Sequence, residues 1–284
     1  MNANANHNEH DARVPLNQTY RQHITLQQYP DAYRVFDEMD RLSRRIGFVR
    51  ADGTSRGRRY DAALLVTLAG GPDAFRDARV AEFGARDGIF GAYVTRFGVE
   101  CAYVSDYFEE WGKGTEHDLG SLEYWTGVWQ RACADPLRLH CEHQNMLQIE
   151  HPSSSFDIVL STSVIEHLYN QKTDEHGQYI GDIAAMRELV RVTRPGGLLL
   201  VSTDLIGDQK PSTWHSGTHY YTESDLFERL FVRGTQGTGK RVELLDNGRY
   251  DFEFNSPFCT DVHHHDHVNP VSSAVFGLRV LQAE

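Results

Sequence analysis

RVAEFGARDGI, running from Arg79 to Ile89, is the stretch whose reading decides the fold. Val80, Ala81 and Phe83 form an apolar run that carries one acid, Glu82. The run breaks at Gly84, a second glycine follows at Gly88, and helical spacing resumes in Ile89, Phe90, Tyr93 and Val94. Strand, glycine turn and helix make the opening unit of a doubly wound α/β sheet, whose ligands bind where such a turn sits.

Downstream of this unit, strand and helix patterns alternate. Strands are expected near Glu100 to Ser105, Arg138 to Cys141, Phe156 to Ser161 and Leu198 to Ser202. The last two are almost wholly apolar, as strands buried on both faces should be. Helical patterns lie between them, one containing Leu122, Trp125 and Trp129 and another from Ile183 to Val192. The two tryptophans stand one turn apart and read as core packing against the sheet. The chain then continues through a helix at Glu223 to Phe231 and two strands, Tyr250 to Phe254 and Ala274 to Val280, which read as a terminal hairpin.

Upstream, Ala32, Val35, Phe36, Met39, Leu42 and Ile46 recur at helical spacing within Thr19 to Gly47. A connector rich in Gly and Arg follows at Asp52 to Arg59, and a helix from Tyr60 to Ala69 stops at Gly70-Gly71-Pro72. The pattern predicts an α/β protein. Its core is a Rossmann-like, doubly wound, mostly parallel sheet with an antiparallel C-terminal strand and an N-terminal helical cap. Residues 1–18 read as a polar, disordered tail, 19–77 as the cap or lid, and 78–284 as the ligand-binding domain.

A chain of 284 residues is long enough to bury a substantial core. Its net charge of -12 speaks against a nucleic-acid partner, which needs clustered Lys and Arg. The basic cluster Arg56, Arg58 and Arg59 reads as a solvated turn. Cys101, Cys133, Cys141 and Cys259 show no paired spacing and read as reduced thiols of a cytoplasmic protein. The polar N-terminus lacks the apolar core of a signal peptide. No apolar run approaches spanning length, so no membrane partner is expected.

Two ligands compete for the loop from Glu82 to Gly88. A dinucleotide needs G-x-G-x-x-G, so that backbone amides approach its pyrophosphate. Here the spacing is E-x-G-x-x-x-G, and Asp87 beside the helix start would repel a phosphate. The loop suits a ligand without phosphates and tolerates one with positive charge.

Four ordered segments extend this reading. They are EFGARDG (Glu82 to Gly88), AYVSDY (Ala102 to Tyr107), QNMLQIEHPSSSFDIVLSTSVIEHL (Gln144 to Leu168) and RELVRVTRPGGLLLVST (Arg187 to Thr203). With them the chain resembles the class I S-adenosylmethionine-dependent methyltransferases that act mainly on small molecules. The resemblance implies S-adenosylmethionine as cofactor and a small-molecule acceptor as partner. It places Glu82, Gly84, Ala85, Arg86 and Gly88 around the methionine portion, and Asp106 with Tyr107 at the ribose. Asn145 would meet the adenine amino group, Met146 would pack on the ring, and Ser161 and Thr162 would lie near the sulfonium. Arg86 departs from the family pattern, standing where a middle glycine is usual. It is tolerable there at negative φ, with its guanidinium either on the cofactor carboxylate or in solvent.

Methyl transfer requires donor and acceptor held in line, and an oxygen or nitrogen acceptor must also lose a proton. Histidine is the natural base near neutral pH. The candidates are His167, after the strand that ends at the cleft, and His215 and His219 in the loop STWHSGTHYYTESDL. In that loop Trp214, Tyr220 and Tyr221 would form apolar walls, or Thr222 would simply cap the following helix. From the cap, Tyr20, Tyr29 and Tyr33 would face the acceptor. In an extended run, His263, His265 and His267 would share a face suited to a metal, but they are crowded and have no evident supporting partner; no metal is assigned. The expected activity is methyl transfer to a small polar acceptor, first a hydroxyl of a natural product or sugar. The alternatives are N- or C-methylation of a small metabolite, and a non-catalytic partner protein that keeps the cofactor.

Overall fold

The structure is a computed structural model that describes residues 17–18, 30–48, 54–108, 120–206, 212–215, 217–245, 260–261 and 270–283. It opens with two helices, α1 (Pro30–Arg45) and α2 (Thr54–Leu68). The alternating series follows: β1 (Arg79–Phe83), α3 (Phe90–Tyr93), β2 (Cys101–Asp106), α4 (Leu122–Ala132), β3 (Leu139–His143), β4 (Phe156–Thr162), α5 (Gly181–Val192) and β5 (Thr193–Ile206). A small hairpin, β6 (Thr213–His215) and β7 (Thr218–Tyr220), leads into α6 (Glu223–Leu226), and the chain ends with β8 (Lys240–Leu244) and β9 (Pro270–Gln282).

The main strands lie in the order β3-β2-β1-β4-β5-β9-β8, with two-residue strands Asn17–Gln18 and Thr260–Asp261 added on β9. Neighbours from β3 to β5 are parallel, and β9 runs antiparallel to both β5 and β8. The order reverses at β1, so the carboxyl ends of β1, β2 and β4 form the crevice where such sheets bind ligands.

Each face of the sheet has its own core. On one face α1, α2 and α4 pack on Val80, Val104, Ile158, Leu160 and Leu200. On the other, Ala185, Met186, Leu189 and Val190 of α5 meet Ala81, Phe83, Val159, Leu199 and Val201. Residues two apart along a strand share a face, which is why β1 and β4 need apolar side chains at nearly every position. Each fully buried Leu, Val or Phe contributes roughly 1.5–3 kcal/mol.

The N-terminal helices belong to this core. Ala62 to Val66 of α2 are all buried, enclosed between α1 and the sheet. The expected connector at Asp52 to Arg59 is corrected: α2 begins at Thr54 and takes in Arg58 and Arg59. Arg59 is 4% exposed and pairs with Asp40 of α1 at 3.0 Å, so the cluster is not a solvated turn. Both tryptophans of α4 are buried as expected.

Three boundaries moved for reasons of tertiary pairing. The partner of β9 is β8, an alternating edge segment, whereas the expected Tyr250 to Phe254 strand lies outside the described residues. β5 starts at Thr193, before its apolar run, because Thr193 pairs with Phe156. The helix at Glu223 continues from Phe227 to Arg233 with π-type turns. That widening delivers Arg229 to Asp182 at the start of α5, with Nε donating to Oδ2 at 2.7 Å and Nη2 to Oδ1 at 2.6 Å. Tyr221 also donates its hydroxyl to Asp182 Oδ2.

Asp182 is fully buried, so removing its cation strands a charge. Arg229→Met is expected to cost about 3–5 kcal/mol in urea denaturation. Adding Asp182→Asn should recover much of that loss.

Candidate functional site

The glycine loop is built against the end of β2. Gly84 and Ala85 both donate their amides to Ser105 O, at 3.0 and 2.9 Å. Gly84 has φ +78°, and a Cβ there would stand 2.5 Å from Val164 Cγ1, so only glycine fits. Asp87 carries φ 71°, a left-handed conformation that short polar side chains tolerate. Arg86 is not among the residues with positive φ. Gly88 donates to Ala85 O, and its own carbonyl accepts the Trp129 indole N–H at 3.0 Å.

Glu82, the last residue but one of β1, is a buried carboxyl. Its Oε2 accepts the Gly91 amide at 2.6 Å and its Oε1 faces the Thr162 hydroxyl at 3.4 Å. A Cβ at Gly91 would lie 2.8 Å from Oε2 and 2.9 Å from Val104 Cγ2, so that glycine lets the helix start approach the acid. Burial pushes the Glu82 carboxyl up to about 7, against the opposing Gly91 bond. Asp61 of α2 is fully buried; burial likewise pushes it up to about 7, and its Oδ2 accepts from Ser273 Oγ.

Asp106 closes β2. Its oxygens accept the Arg86 amide at 2.9 Å and the Tyr107 amide at 2.7 Å. The Arg86 guanidinium turns back on the same carboxylate, Nε to Oδ1 at 3.4 Å, and lies over the Phe108 ring. The solvent placement expected for Arg86 is therefore corrected, since its side chain is 10% exposed. Burial raises the Asp106 carboxyl above its ordinary range, with Arg86 opposing. The Tyr107 ring leans on His143, 5.1 Å between centroids.

The other expected contacts divide. Thr162 faces the cleft with Glu82, whereas Ser161, one residue back, points to the opposite face of the sheet and is fully buried. Asn145 Oδ1 accepts the Leu147 amide, closing a tight turn. Met146 packs with Phe83, Ile149 and Phe156 in the α5-side core, so the interior claims the side chain expected on the adenine ring.

A narrow cleft opens beside the loop, lined by Met39, Phe48, Arg58, Arg59, Glu82, Gly88 and Thr162 among others. Arg58 reaches it from α2, donating Nη1 to Arg86 O and Nη2 to Ser163 O, each at 2.7 Å. Its only trace in the sequence was the basic cluster, and nothing local shows which of those arginines turns inward.

The candidate bases occupy different settings. His167 lies five residues beyond Thr162, with Nδ1 2.8 Å from Gly217 O in the turn of the β6–β7 hairpin. His219 is enclosed: Nε2 bonds Asp225 at 2.9 Å, the ring stacks on Tyr169 at 3.8 Å, and Nδ1 is buried without a partner among the described residues. Trp214 stacks on the same tyrosine, and Thr222 caps α6 by accepting from the Asp225 amide. His215 is in β6, paired with Thr218. Tyr33 is exposed on α1. Tyr20, Tyr29 and the His263 to His267 run lie outside the described residues. Among the described residues no group of three or more His, Cys, Asp or Glu suits a metal, and no helix is long and apolar enough to cross a membrane.

A family profile described as "Methyltransferase domain" matches residues 54–252. The chain belongs to this family. The match begins at the first residue of α2 and includes the carboxyl ends of β1, β2 and β4. A Mycolicibacterium smegmatis protein named as an S-adenosylmethionine-dependent methyltransferase is 38% identical over 66 residues. That match takes in 23% of this chain, which spans about a fifth (21%) of that relative's length. Among solved structures, the [4+2]-cyclase SpnF superposes with a TM-score of 0.50 at 13% identity, covering 89% of this chain and 97% of that one. The Burkholderia thailandensis 1,6-didemethyltoxoflavin-N1-methyltransferase, solved with S-adenosylhomocysteine, gives 0.48 at 15% identity and 90% coverage of both chains. The fold is the Rossmann-like one expected, and the chain carries a methyltransferase domain.

Two buried carboxyls with raised values set the acid–base behaviour of the folded domain. Glu82 holds its proton more tightly folded than at its ordinary 4.5, and Asp61 more tightly than at 3.8. Their stabilising effect is present in acid and lost as the pH rises toward 7. The unfolding free energy from urea titration should fall across that window, by at most about 1.4 kcal/mol per pH unit for each carboxyl. Glu82→Gln should flatten the slope.

Proposed function

We propose that the protein transfers the methyl group of S-adenosylmethionine to a hydroxyl of a small polar acceptor, a natural product or sugar, with His167 as general base. The bond from His167 Nδ1 to Gly217 O carries this reading. A carbonyl only accepts, so Nδ1 holds the proton and the neutral ring presents Nε2 as its basic nitrogen. A hairpin carbonyl thus sets tautomer and ring orientation, as a base must be set before it can take a proton from an acceptor.

The residues present fit the cofactor. When bound, it supplies a methyl group on a positively charged sulfur. Glu82, Gly84, Ala85, Arg86 and Gly88 would surround its amino-acid end through an acid and a tight turn with no room for a Cβ. Asp106 Oδ2 keeps a lone pair beyond the Arg86 amide bond, enough to accept from a ribose hydroxyl beside Tyr107, while Oδ1 also faces Arg86 Nε. Asn145 would present the base-binding turn, and Thr162 stands at the reacting end of the cleft. The chain's own task is alignment of acceptor and sulfonium, the main requirement of an in-line displacement. α1 and α2 would cover the acceptor from the cap side. His219, held by Asp225 and Tyr169, would anchor the hairpin that positions His167, with His215 on the neighbouring strand.

With an acceptor found by screening hydroxyl compounds against labelled cofactor, His167→Gln should lower kcat about 10²- to 10⁴-fold. Its affinity for S-adenosylhomocysteine should be unchanged, and the rising limb of the pH–rate profile should disappear. An unaltered kcat, or methylated amines as the sole products, would reject the proposal. Separately, Asp106→Ala should weaken S-adenosylhomocysteine binding about 10- to 100-fold in titration calorimetry, the loss expected for hydrogen bonds to a charged group.

A further inference from the structure

Arg58 joins three parts of the molecule through one guanidinium. It leaves α2 and donates Nη1 to Arg86 O in the glycine loop and Nη2 to Ser163 O after β4. Both carbonyls sit at left-handed turns: Ser163 itself has φ 52°, and Asp87, next to Arg86, has φ 71°. Two loops are thus bent to hold backbone oxygens about one cation at the mouth of the cleft, and such bends gather at ligand sites.

The partners are as informative as the position. Arg59 pairs with Asp40, Arg86 with Asp106 and Arg229 with Asp182, each a carboxylate. The two hydrogen bonds of Arg58 go to neutral carbonyls, although its charge is felt by Glu82, Asp61 and Asp106. A guanidinium fork matches a carboxylate, and such charge-assisted bonds are roughly twice as strong as neutral ones. The cleft has one other cation in its wall, Arg59, and that one is already paired with the Asp40 carboxylate, so an entering carboxylate has reason to seek Arg58.

We propose that Arg58 is a latch that reads the amino-acid end of the cofactor. Its fork exchanges the Arg86 and Ser163 carbonyls for the cofactor's carboxylate, and the start of α2 is thereby tied to an intact cofactor. The cap is then ordered by that end of the molecule and not by its adenosine. This inference rests on the cofactor assignment and is independent of His167.

The test compares S-adenosylhomocysteine with 5′-methylthioadenosine, which lacks the amino-acid end, by titration calorimetry. Arg58→Ala should weaken S-adenosylhomocysteine about 10- to 100-fold and leave methylthioadenosine within about twofold. Arg58→Lys, which keeps the charge without the fork, should fall between, and it supplies the same comparison if the alanine variant does not fold. In the wild type, S-adenosylhomocysteine but not methylthioadenosine should slow amide exchange in the first turns of α2. Parallel loss of both ligands would mark Arg58 as structural only, and tighter binding of S-adenosylhomocysteine would mark it as an obstruction; either overturns the latch. Failure of the wild type to bind S-adenosylhomocysteine would instead overturn the cofactor assignment.

Discussion

The architecture of the crevice depends on one buried contact, the Glu82 carboxylate against the Gly91 amide. A carboxyl at the end of a central strand is costly to bury without partners. Here the first turn of α3 supplies a donor, Thr162 faces the other oxygen, and Gly91 has no side chain to hold the helix away. Once α3 is drawn onto β1, the chain between them has only six residues, Gly84 to Ile89, in which to turn. Those residues back onto Ser105 of β2 and bring the Arg86 amide to Asp106. Loop, acid and helix start therefore settle together.

A second constraint reaches the same crevice from outside the parallel sheet. α2 is enclosed by α1 and the sheet, so its register is rigid, and it presents successive residues to different partners. Arg59 turns to Asp40, Arg58 to the two loop carbonyls, and Asp61 to Ser273 of β9. The N-terminal helices are thus both core and wall. On the far side, the β6–β7 hairpin is pinned by the Tyr169 stack with Trp214 and His219 and by His167 at its turn.

Much of this was legible in advance where the information is local. β1, β2, β4, α4 and α5 lie within a few residues of the periodic patterns that announced them, because burial on one or both faces imposes those patterns directly. The glycine loop and Asp106 were legible for a related reason: a tight turn and a strand-ending acid are properties of a few adjacent residues. β8 was missed because a short edge strand of alternating charge and aliphatic residues resembles a solvated segment. Arg58 was missed because its partners are 28 and 105 residues away. Met146 and Ser161 illustrate the same limit in reverse, since a motif position does not say which face of a packed layer a side chain will occupy.

By itself, then, the sequence determined the class of fold and the place of the crevice, which follow from periodicity and from short motifs in order. Tertiary structure alone decided that Arg86 folds back on Asp106, that Arg58 spans the cleft, and that His167 is held by the hairpin while His219 is sealed beneath Tyr169. The reason is physical. Side-chain charges and hydrogen bonds act over a few ångströms of space, and the chain brings distant residues within that range only after its two cores have formed.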